Sequence, residues 1–246
     1  MTVRKHNLAR ALAAFVATGS LLLAGALSAS AAPVEPLTTE QESRIRVGLE
    51  TYGVGQDVQD SLISKITAGE MWDSLAAVEP VTTEQRLVRG EFVTLSTYAD
   101  GSITASGVER ATTVNPGSIT PLGVRNCTSR QSGQVRIKTG CEVWADAILV
   151  KMSFTADYNQ TFSASDPAYA IAGTIVGVRD KEIRTIGGTY TVRNFGRTQI
   201  NATASSPAKA RLTADLQAFG SYAATTVWLQ LNVPMNTYTL GYSSNN

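Results

Sequence analysis

The sequence predicts a mainly β protein: an antiparallel β-sandwich or barrel preceded by a short N-terminal helical hairpin. Three patterns lead to this prediction. Residues 208–218 alternate apolar and polar side chains at period two, as a half-buried strand does. Residues 227–233 repeat that alternation. Apolar residues at helical spacing are confined to about residues 37–76, and Pro80 marks the start of a segment that lacks this spacing.

Residues 1–31 have the pattern of a secretory signal peptide. Three basic residues precede an apolar stretch at 11–27, and a run of small residues follows. Cleavage after Ala31 fits better than cleavage after Ala32, because proline follows Ala32. A retained membrane anchor is the alternative, but the apolar stretch is short for a span. We therefore expect a secreted, extracellular protein, either free or associated with the cell wall.

Removal of this leader changes the charge and the available chemistry. The remaining chain has 18 basic and 20 acidic residues, and it loses His6, the only histidine. A net charge of −2 gives no reason to expect nucleic acid as a partner. No later stretch is apolar enough to predict a transmembrane span. Without imidazole, Ser-His and Cys-His nucleophiles are excluded, as is a histidine-ligated metal.

The two cysteines, Cys127 and Cys141, are expected to form a disulfide, because export gives access to an oxidising compartment. The bond would close a loop of 15 residues and stabilise the fold by about 3 kcal/mol. Two cysteines are too few ligands for a structural metal site, and their spacing is unlike that of redox pairs. We predict no metal and no cofactor.

The helical hairpin is expected within residues 32–80. Thr39 and Glu42 have the spacing of a capping box at the start of the first helix. Apolar residues recur at i, i+4 and about i+7 in both helices, and Gly53 and Gly69 follow as natural stops. These residues are Ile45, Leu49 and Tyr52, then Val58, Leu62 and Ile66. One further helical turn should place Met71, Trp72 and Leu75 on an apolar surface.

Residues 81–246 should form the antiparallel β domain that contains the disulfide. The Asp100-Gly101 pair predicts a hairpin turn, and 111–123 reads as a loop. One long strand is expected at 142–158, where even positions are mostly apolar and Asp146 interrupts the row. Shorter strands are expected at 170–178, 183–192 and 197–205, before the strands at 208–218 and 227–233.

The sequence contains fragments that resemble serine-enzyme motifs, and it contains several acids on or beside strands. Ser206 and Lys209 have S-x-x-K spacing and a KTG triplet occurs at 138–140, but their order is reversed relative to penicillin-binding enzymes. We therefore predict no catalytic serine. Two acids across a cleft could hydrolyse a glycosidic bond. The acids on or beside strands are Glu142, Asp146, Asp157, Asp166 and Asp180, which surface solvation or ion pairing would equally explain.

Two features suggest binding. Trp228, Gln230 and Asn232 share one side of a strand and could form a stacking surface for a sugar, which Tyr238 and Tyr242 could extend. The alternative is that the helical hairpin covers this side. Near the disulfide, basic residues could bind an acidic wall polymer or an acidic protein, or simply form a solvated rim. They are Arg130, Arg136 and Lys138.

The segments at 52–81, 98–103 (YADGSI), 126–129 (NCTS) and 153–159 (SFTADYN) resemble secreted actinobacterial proteins that have no assigned activity. The resemblance implies export from a Gram-positive cell and assigns no site residue. Our interpretation is a secreted, non-enzymatic protein that binds an extracellular or cell-wall ligand. The alternatives are an extracellular glycan hydrolase that uses carboxylates and, from the long alternating strand at 208–218, a pore-forming protein.

Overall fold

The computed structural model describes residues 36–76, 78–89, 91–113, 127–218, 224–235 and 241–244. The predicted signal peptide at 1–31 lies outside these residues, and so does Tyr238. The chain is mainly β, with two short helices before the strands, as the sequence predicts. Helices α1 (Thr39–Thr51) and α2 (Gln56–Thr67) precede a short 3-10 helix at Asp73–Leu75.

Within the described residues, twelve strands follow the helices in chain order. They are β1 (Thr82–Val88), β2 (Glu91–Thr97), β3 (Ile103–Val108), β4 (Thr112–Thr113), β5 (Thr128–Ser132), β6 (Val135–Asp146), β7 (Val150–Phe162), β8 (Ala170–Thr185), β9 (Gly188–Gln199), β10 (Ala208–Ala218), β11 (Ala224–Val233) and β12 (Gly241–Ser244). All pairings are antiparallel except that of β4 with β5.

The strands form two sheets. Sheet A contains β1 to β8, and sheet B has the order β12-β11-β10-β9. In sheet A, one edge of β6 pairs with β5 along Val135–Thr139 and with β3 along Val143–Asp146, while its other edge pairs with β7. Backbone hydrogen bonds join the sheets where β8 passes the segment after β9, for example from Ile175 N–H to the Ile200 oxygen at 2.9 Å.

The two faces of sheet A have different neighbours. Helix α1 lies on one face, where the Tyr52 hydroxyl reaches Asp146 and Gly48 approaches the Ile148 side chain. On the opposite face, the ring of Phe154 packs edge-on against Phe195 of sheet B, with ring centroids 5.7 Å apart. The molecule is therefore a β-sandwich with helices on its outer side, and the barrel alternative does not describe it.

The alternating strands bury the residues that the sequence indicates. In β10 the buried side chains are Ala208, Ala210, Leu212, Ala214 and Leu216, and in β11 the core positions are Val227, Leu229, Leu231 and Val233. Their two rows lie side by side because Leu212 pairs with Leu229. Since β10 contributes mostly alanine, sheet B can approach sheet A closely. Gly173 of β8 lies so near that a Cβ there would be 2.6 Å from the Val233 oxygen.

The helices also bury the predicted faces, with one difference at the start. Thr38, not Thr39, caps α1: its hydroxyl accepts from Gln41 N–H at 3.2 Å, and its own N–H donates to Gln41 Oε1 at 2.9 Å. Glu42 instead pairs with Arg46 one turn later. The sequence offers two capping-box pairs, Thr38 with Gln41 and Thr39 with Glu42. Because Glu42 forms an ion pair with Arg46, the first pair forms the cap.

The single strand predicted at 142–158 is wrong, because it is a hairpin of β6 and β7. The turn contains Ala147, Ile148 and Leu149, and Ile148 adopts a left-handed φ of 66°. Asp146 Oδ1 accepts a hydrogen bond from Ile148 N–H at 2.9 Å, which closes an Asx turn. No glycine, proline or asparagine marks this turn, and Asp146 is only a single interruption in a row of apolar residues that continues beyond it.

Two other boundaries differ from the prediction. Residues 82–88 form an additional edge strand, β1, which pairs with β2, and Arg89 after it has a left-handed φ of 50°. The three short strands predicted between 170 and 205 are two long ones, β8 and β9. Gly187, with φ of 63°, makes the turn between them and falls inside the strand predicted at 183–192.

Candidate functional site

The disulfide between Cys127 and Cys141 is present and fully buried, as predicted. It ties the residue that precedes β5 to the middle of β6, at the base of the β5–β6 hairpin. A bulge at Thr139 and Gly140 lies beside it, and Gly140 N–H donates to Asp157 Oδ1 at 2.6 Å. This bulge keeps Lys138 on the same face of the strand as Cys141, although the two are three residues apart.

The hairpin brings two of the three predicted basic residues together. Arg136 and Lys138 are two apart on β6 and therefore share a face. Lys138 lies opposite Tyr158 of β7, in the row of β7 side chains that continues from the inter-sheet core. Arg130 lies opposite Ile137 and so points to the other face of the sheet. Only Arg136 and Lys138 can thus act as a pair.

These two cations line a cleft, the basic cleft, with a volume of about 640 Å³. That volume is within the range of small-molecule binding sites. The basic cleft is formed by the β5–β6 hairpin, the start of β2 and the segment that follows β3. Its lining residues are Gln85, Glu91, Phe92, Val108, Glu109, Arg110, Ala111, Ser129, Gln131, Arg136, Lys138 and Tyr158.

The two cations pack against aromatic rings and form no ion pair with a described carboxylate. The Lys138 ammonium lies 5.6 Å from the centroid of the Tyr158 ring, and the Arg136 guanidinium lies 4.4 Å from that of Phe162. Within the described part of the chain, no carboxylate is within salt-bridge distance of either cation. Burial and then the neighbouring Arg136 charge lower the pKa of Lys138 below its usual value. An anion placed between the two would attract both charges and so offset the repulsion and the cost of burial.

Two buried polar atoms in the same cleft, the Tyr158 hydroxyl oxygen and Glu109 Oε1, lack a hydrogen-bond partner among the described residues. The Tyr158 side chain is 1 % exposed and its hydroxyl has no acceptor or donor nearby. Burial raises the pKa of Tyr158, so the phenol keeps its proton and can donate it in a hydrogen bond. Glu109 is 7 % exposed. Its Oε2 accepts from Glu142 N–H at 3.3 Å, but its Oε1 has no partner.

A second, smaller cavity of about 180 Å³ adjoins the basic cleft at Glu91 and Glu109, which line both. It opens where the pairing of β2 with β3 stops at Thr94 and Ser106, so that the two strands diverge. The other lining residues are Thr51, Tyr52, Val88, Arg89, Val93, Glu142, Trp144 and Lys151. This acidic and aromatic cavity faces α1, whereas Lys138 and Tyr158 share the opposite face of sheet A.

Asp146, the acid singled out in the sequence, lies half-buried where the end of α1 contacts sheet A. Burial raises the pKa of Asp146, while the Ile148 N–H, the Lys151 ammonium and the Tyr52 hydroxyl act in the opposite direction. The Tyr52 hydroxyl donates to Asp146 Oδ2 at 3.4 Å. Its neighbour Trp144 shares its side of β6, but Ile148 lies in the turn and not on the strand. Asp146 therefore holds the turn and the helix in place.

The other acids predicted beside strands have separate surroundings. Asp157 forms an ion pair with Arg179 at 2.5 Å and accepts from the Gly140 N–H. Asp166 accepts from Ala168 N–H in a turn, and Asp180 is 70 % exposed. Of the five predicted acids, Glu142 alone lines one of the two cavities described above.

The predicted stacking surface lies on the outer face of sheet B. Arg211, on β10, covers the Trp228 ring at 4.2 Å from its centroid and donates to Gln230 Oε1 at 2.7 Å. Gln230 in turn donates to Asn232 Oδ1 at 2.7 Å. Trp228 is 8 % exposed and Gln230 is 6 % exposed. A ligand that stacks on Trp228 would first have to displace Arg211, so binding at Trp228, Gln230 and Asn232 stays a prediction. Tyr242 pairs through its backbone in β12, and its side chain lies outside the described part.

Three further observations concern Ser206, metal-ligating side chains and membrane-spanning helices among the described residues. Ser206 precedes strand β10 and donates to Gln199 Oε1 at 3.0 Å, so its motif does not open a helix. The residues with assigned positions contain no cluster of metal-ligating side chains. None of their helices is both long and apolar enough to cross a bilayer.

Sequence reasoning missed Glu109, Arg110 and Tyr158 as members of a site. Tyr158 looked like one more apolar position in its strand, and Glu109 lies just past a strand end with nothing unusual around it. The only available signal was the period-two spacing of Arg136 and Lys138, which places two like charges on one face.

No protein-family model, curated protein or solved structure matches this chain.

Proposed function

We propose that this protein is a secreted, non-enzymatic binding protein that recognises an anionic extracellular polymer of the cell envelope. The observation that supports this most directly is the pair Arg136 and Lys138. Both lie in a cleft of ligand size, and no described carboxylate neutralises either one. The disulfide at the base of their hairpin is consistent with an oxidising, extracellular location.

The physical case rests on charges that the fold leaves uncompensated. Two like charges on one strand face repel each other, and partial burial of Lys138 adds a desolvation cost. A phosphate or carboxylate group of the polymer would accept hydrogen bonds from both cations and from the Tyr158 hydroxyl. Because burial has lowered the pKa of Lys138, binding should weaken as the pH rises through that lowered value.

Co-sedimentation with bacterial cell walls tests the proposal. Walls of a Gram-positive bacterium are used before and after extraction of their anionic polymers, with inorganic phosphate as a competitor. Lys138→Met and Arg136→Gln each remove one charge-assisted contact, so affinity should fall about 10- to 100-fold. Arg193→Gln is the matched control, because Arg193 is exposed and already paired with Asp215.

The experiment tests separately whether binding needs the anionic polymer and whether it needs the cleft cations. Binding that depends on the extractable polymer and on both cleft cations supports the proposal, provided that each variant keeps the wild-type melting temperature. Equal binding by wild type and both cleft variants would rule out the cleft as the binding site. Binding that survives extraction unchanged would rule out an anionic polymer as the ligand.

The smaller cavity supports a second candidate, hydrolysis of an extracellular glycan. Glu109 and Glu142 line it together with Tyr52 and Trp144, and glycosidases use two carboxyl groups that flank the scissile bond. Reducing ends released from a polysaccharide panel by wild type, and lost on Glu142→Gln, would establish this activity. If no substrate in the panel is cleaved, the binding function stands without it.

A further inference from the structure

We infer that the ligand of the basic cleft is zwitterionic: it carries an ammonium group that Glu109 binds, beside the anionic group held by Arg136 and Lys138. This inference rests on the proposed function and adds a specificity to it. Its starting observation is that Glu109 Oε1 is buried and has no hydrogen-bond partner among the described residues.

A buried carboxylate oxygen without a donor is costly, and native proteins seldom keep one without a reason. The other oxygen of Glu109 has only the Glu142 N–H, at 3.3 Å. No described lysine or arginine lies within salt-bridge distance of Glu109. The side chain is therefore held in place on one side and left unsatisfied on the other.

Glu109 is also in the right place to meet a ligand. It lines both the basic cleft and the smaller cavity, at the gap where β2 and β3 diverge. The terminal torsion of a glutamate is soft, so a small rotation of the carboxylate turns Oε1 toward a bound molecule. The neighbouring N–H of Glu142 keeps the side chain anchored at this gap.

The cleft thus has an anion-binding part and a cation-binding part. Arg136, Lys138 and the Tyr158 hydroxyl can only donate to a ligand anion, while Glu109 can only accept from a ligand donor. An ammonium group supplies both the donors and the charge that a buried carboxylate needs. Aminated anionic saccharides combine the two groups within a few ångströms, and we assign the ligand to this chemical class.

Three sugar phosphates with the same anion provide the test. Glucosamine 6-phosphate carries an ammonium at one carbon, glucose 6-phosphate a hydroxyl, and N-acetylglucosamine 6-phosphate a neutral amide. Binding to the full purified protein is followed by NMR titration at neutral pH. We expect glucosamine 6-phosphate to bind about tenfold more tightly than the other two, since an ion pair with a buried partner contributes at least that much.

Variants identify the residues responsible. Glu109→Gln keeps an acceptor for the Glu142 N–H but loses the negative charge, so it should bind all three sugars equally. Lys138→Met should weaken all three in proportion and keep the preference for the amine. Glu182→Gln is the matched control, because Glu182 is exposed and paired with Arg184, and it should behave as wild type.

Each outcome decides between the two proposals. Equal affinity of wild type for the three sugars, unchanged in Glu109→Gln, overturns the zwitterion inference and leaves the anion-binding function intact. A preference for the amine that persists in Glu109→Gln also overturns it. If no sugar phosphate binds and inorganic phosphate does not compete with wall binding, both proposals fail together.

Discussion

Reduction of the Cys127–Cys141 disulfide should lower the melting temperature of this protein by about 6 to 12 °C. The cysteines are 14 positions apart, so the bond closes a loop of 15 residues. Closing a loop of that length removes chain entropy from the unfolded state and stabilises the fold by about 3 kcal/mol. For a protein of this size, each kcal/mol corresponds to roughly 2 to 4 °C in Tm.

The assay must ensure that the bond is in fact reduced. Both cysteines are fully buried, so a reductant acts slowly on the folded protein. The protein is therefore unfolded in urea with reductant, refolded in the same reductant, and shown by thiol titration to have two free thiols. Thermal unfolding of this form is then compared with that of the oxidised form by circular dichroism.

The double variant Cys127→Ala/Cys141→Ala provides the control, because its melting temperature should be lowered and should not respond to reductant. The reasoning would be refuted by an unchanged Tm in protein with two titratable thiols. A loss of cooperative unfolding would instead show that the hairpin, and the basic cleft beside it, depend on the bond for their structure.

Three further predictions concern the helices and turns that hold sheet A. Burial alone would raise the pKa of Asp100, but hydrogen bonds led by the one from Lys65 outweigh it and lower that pKa. The ionised Asp100 carboxylate therefore stabilises the fold fully above about pH 4, and this stabilisation is lost as the pH falls through the lowered pKa. In urea denaturation, Asp100→Asn should lower the free energy of unfolding by about 1.5 to 3 kcal/mol at pH 7. The loss should be smaller at a pH below 4. The pH dependence of stability contributed by Asp146 has the opposite sign. Because burial raises the pKa of Asp146, stability falls as the pH rises through that pKa. Asp146→Asn, which keeps the acceptor in the turn, should melt no lower than wild type at pH 7, whereas Asp146→Ala should melt lower at both pH 3 and pH 7. Gly101→Ala should cost about 2 kcal/mol or more, because φ is 82° and the new Cβ would overlap α2. Gly196→Ala in β9, with open space around it, should be close to neutral, and equal melting of these two variants would contradict the argument.

The fold class follows from local patterns, and the strands with the clearest alternation were predicted best. In β10 and β11, nearly every second side chain is apolar, and one face of each strand must be buried. The hairpin between β6 and β7 was missed for the converse reason. Its turn is built from Ala147, Ile148 and Leu149, and the Asp146 side chain that closes it as an Asx turn stands in the sequence as one interruption of an apolar row.

The candidate site was only partly visible in the sequence. Arg136 and Lys138 could be placed on one face because strand side chains alternate. Their separation from Arg130 depends on the register of β5 against β6, which local sequence does not specify. Trp228 looked available for stacking, but the register of β10 against β11 brings Arg211 over its ring.

By itself, the sequence determined that the chain pairs extended segments behind two short amphipathic helices and that its two cysteines meet. These outcomes depend on side-chain periodicity and on loop closure, which act over a few residues or within one hairpin. Only the tertiary structure decided that β2 and β3 diverge, that Glu109 is buried at their gap, and that Lys138, Arg136 and Tyr158 face the same cleft. The physical reason is that burial and charge compensation at these residues depend on strands far apart in the chain, whose relative positions come from the packing of whole sheets.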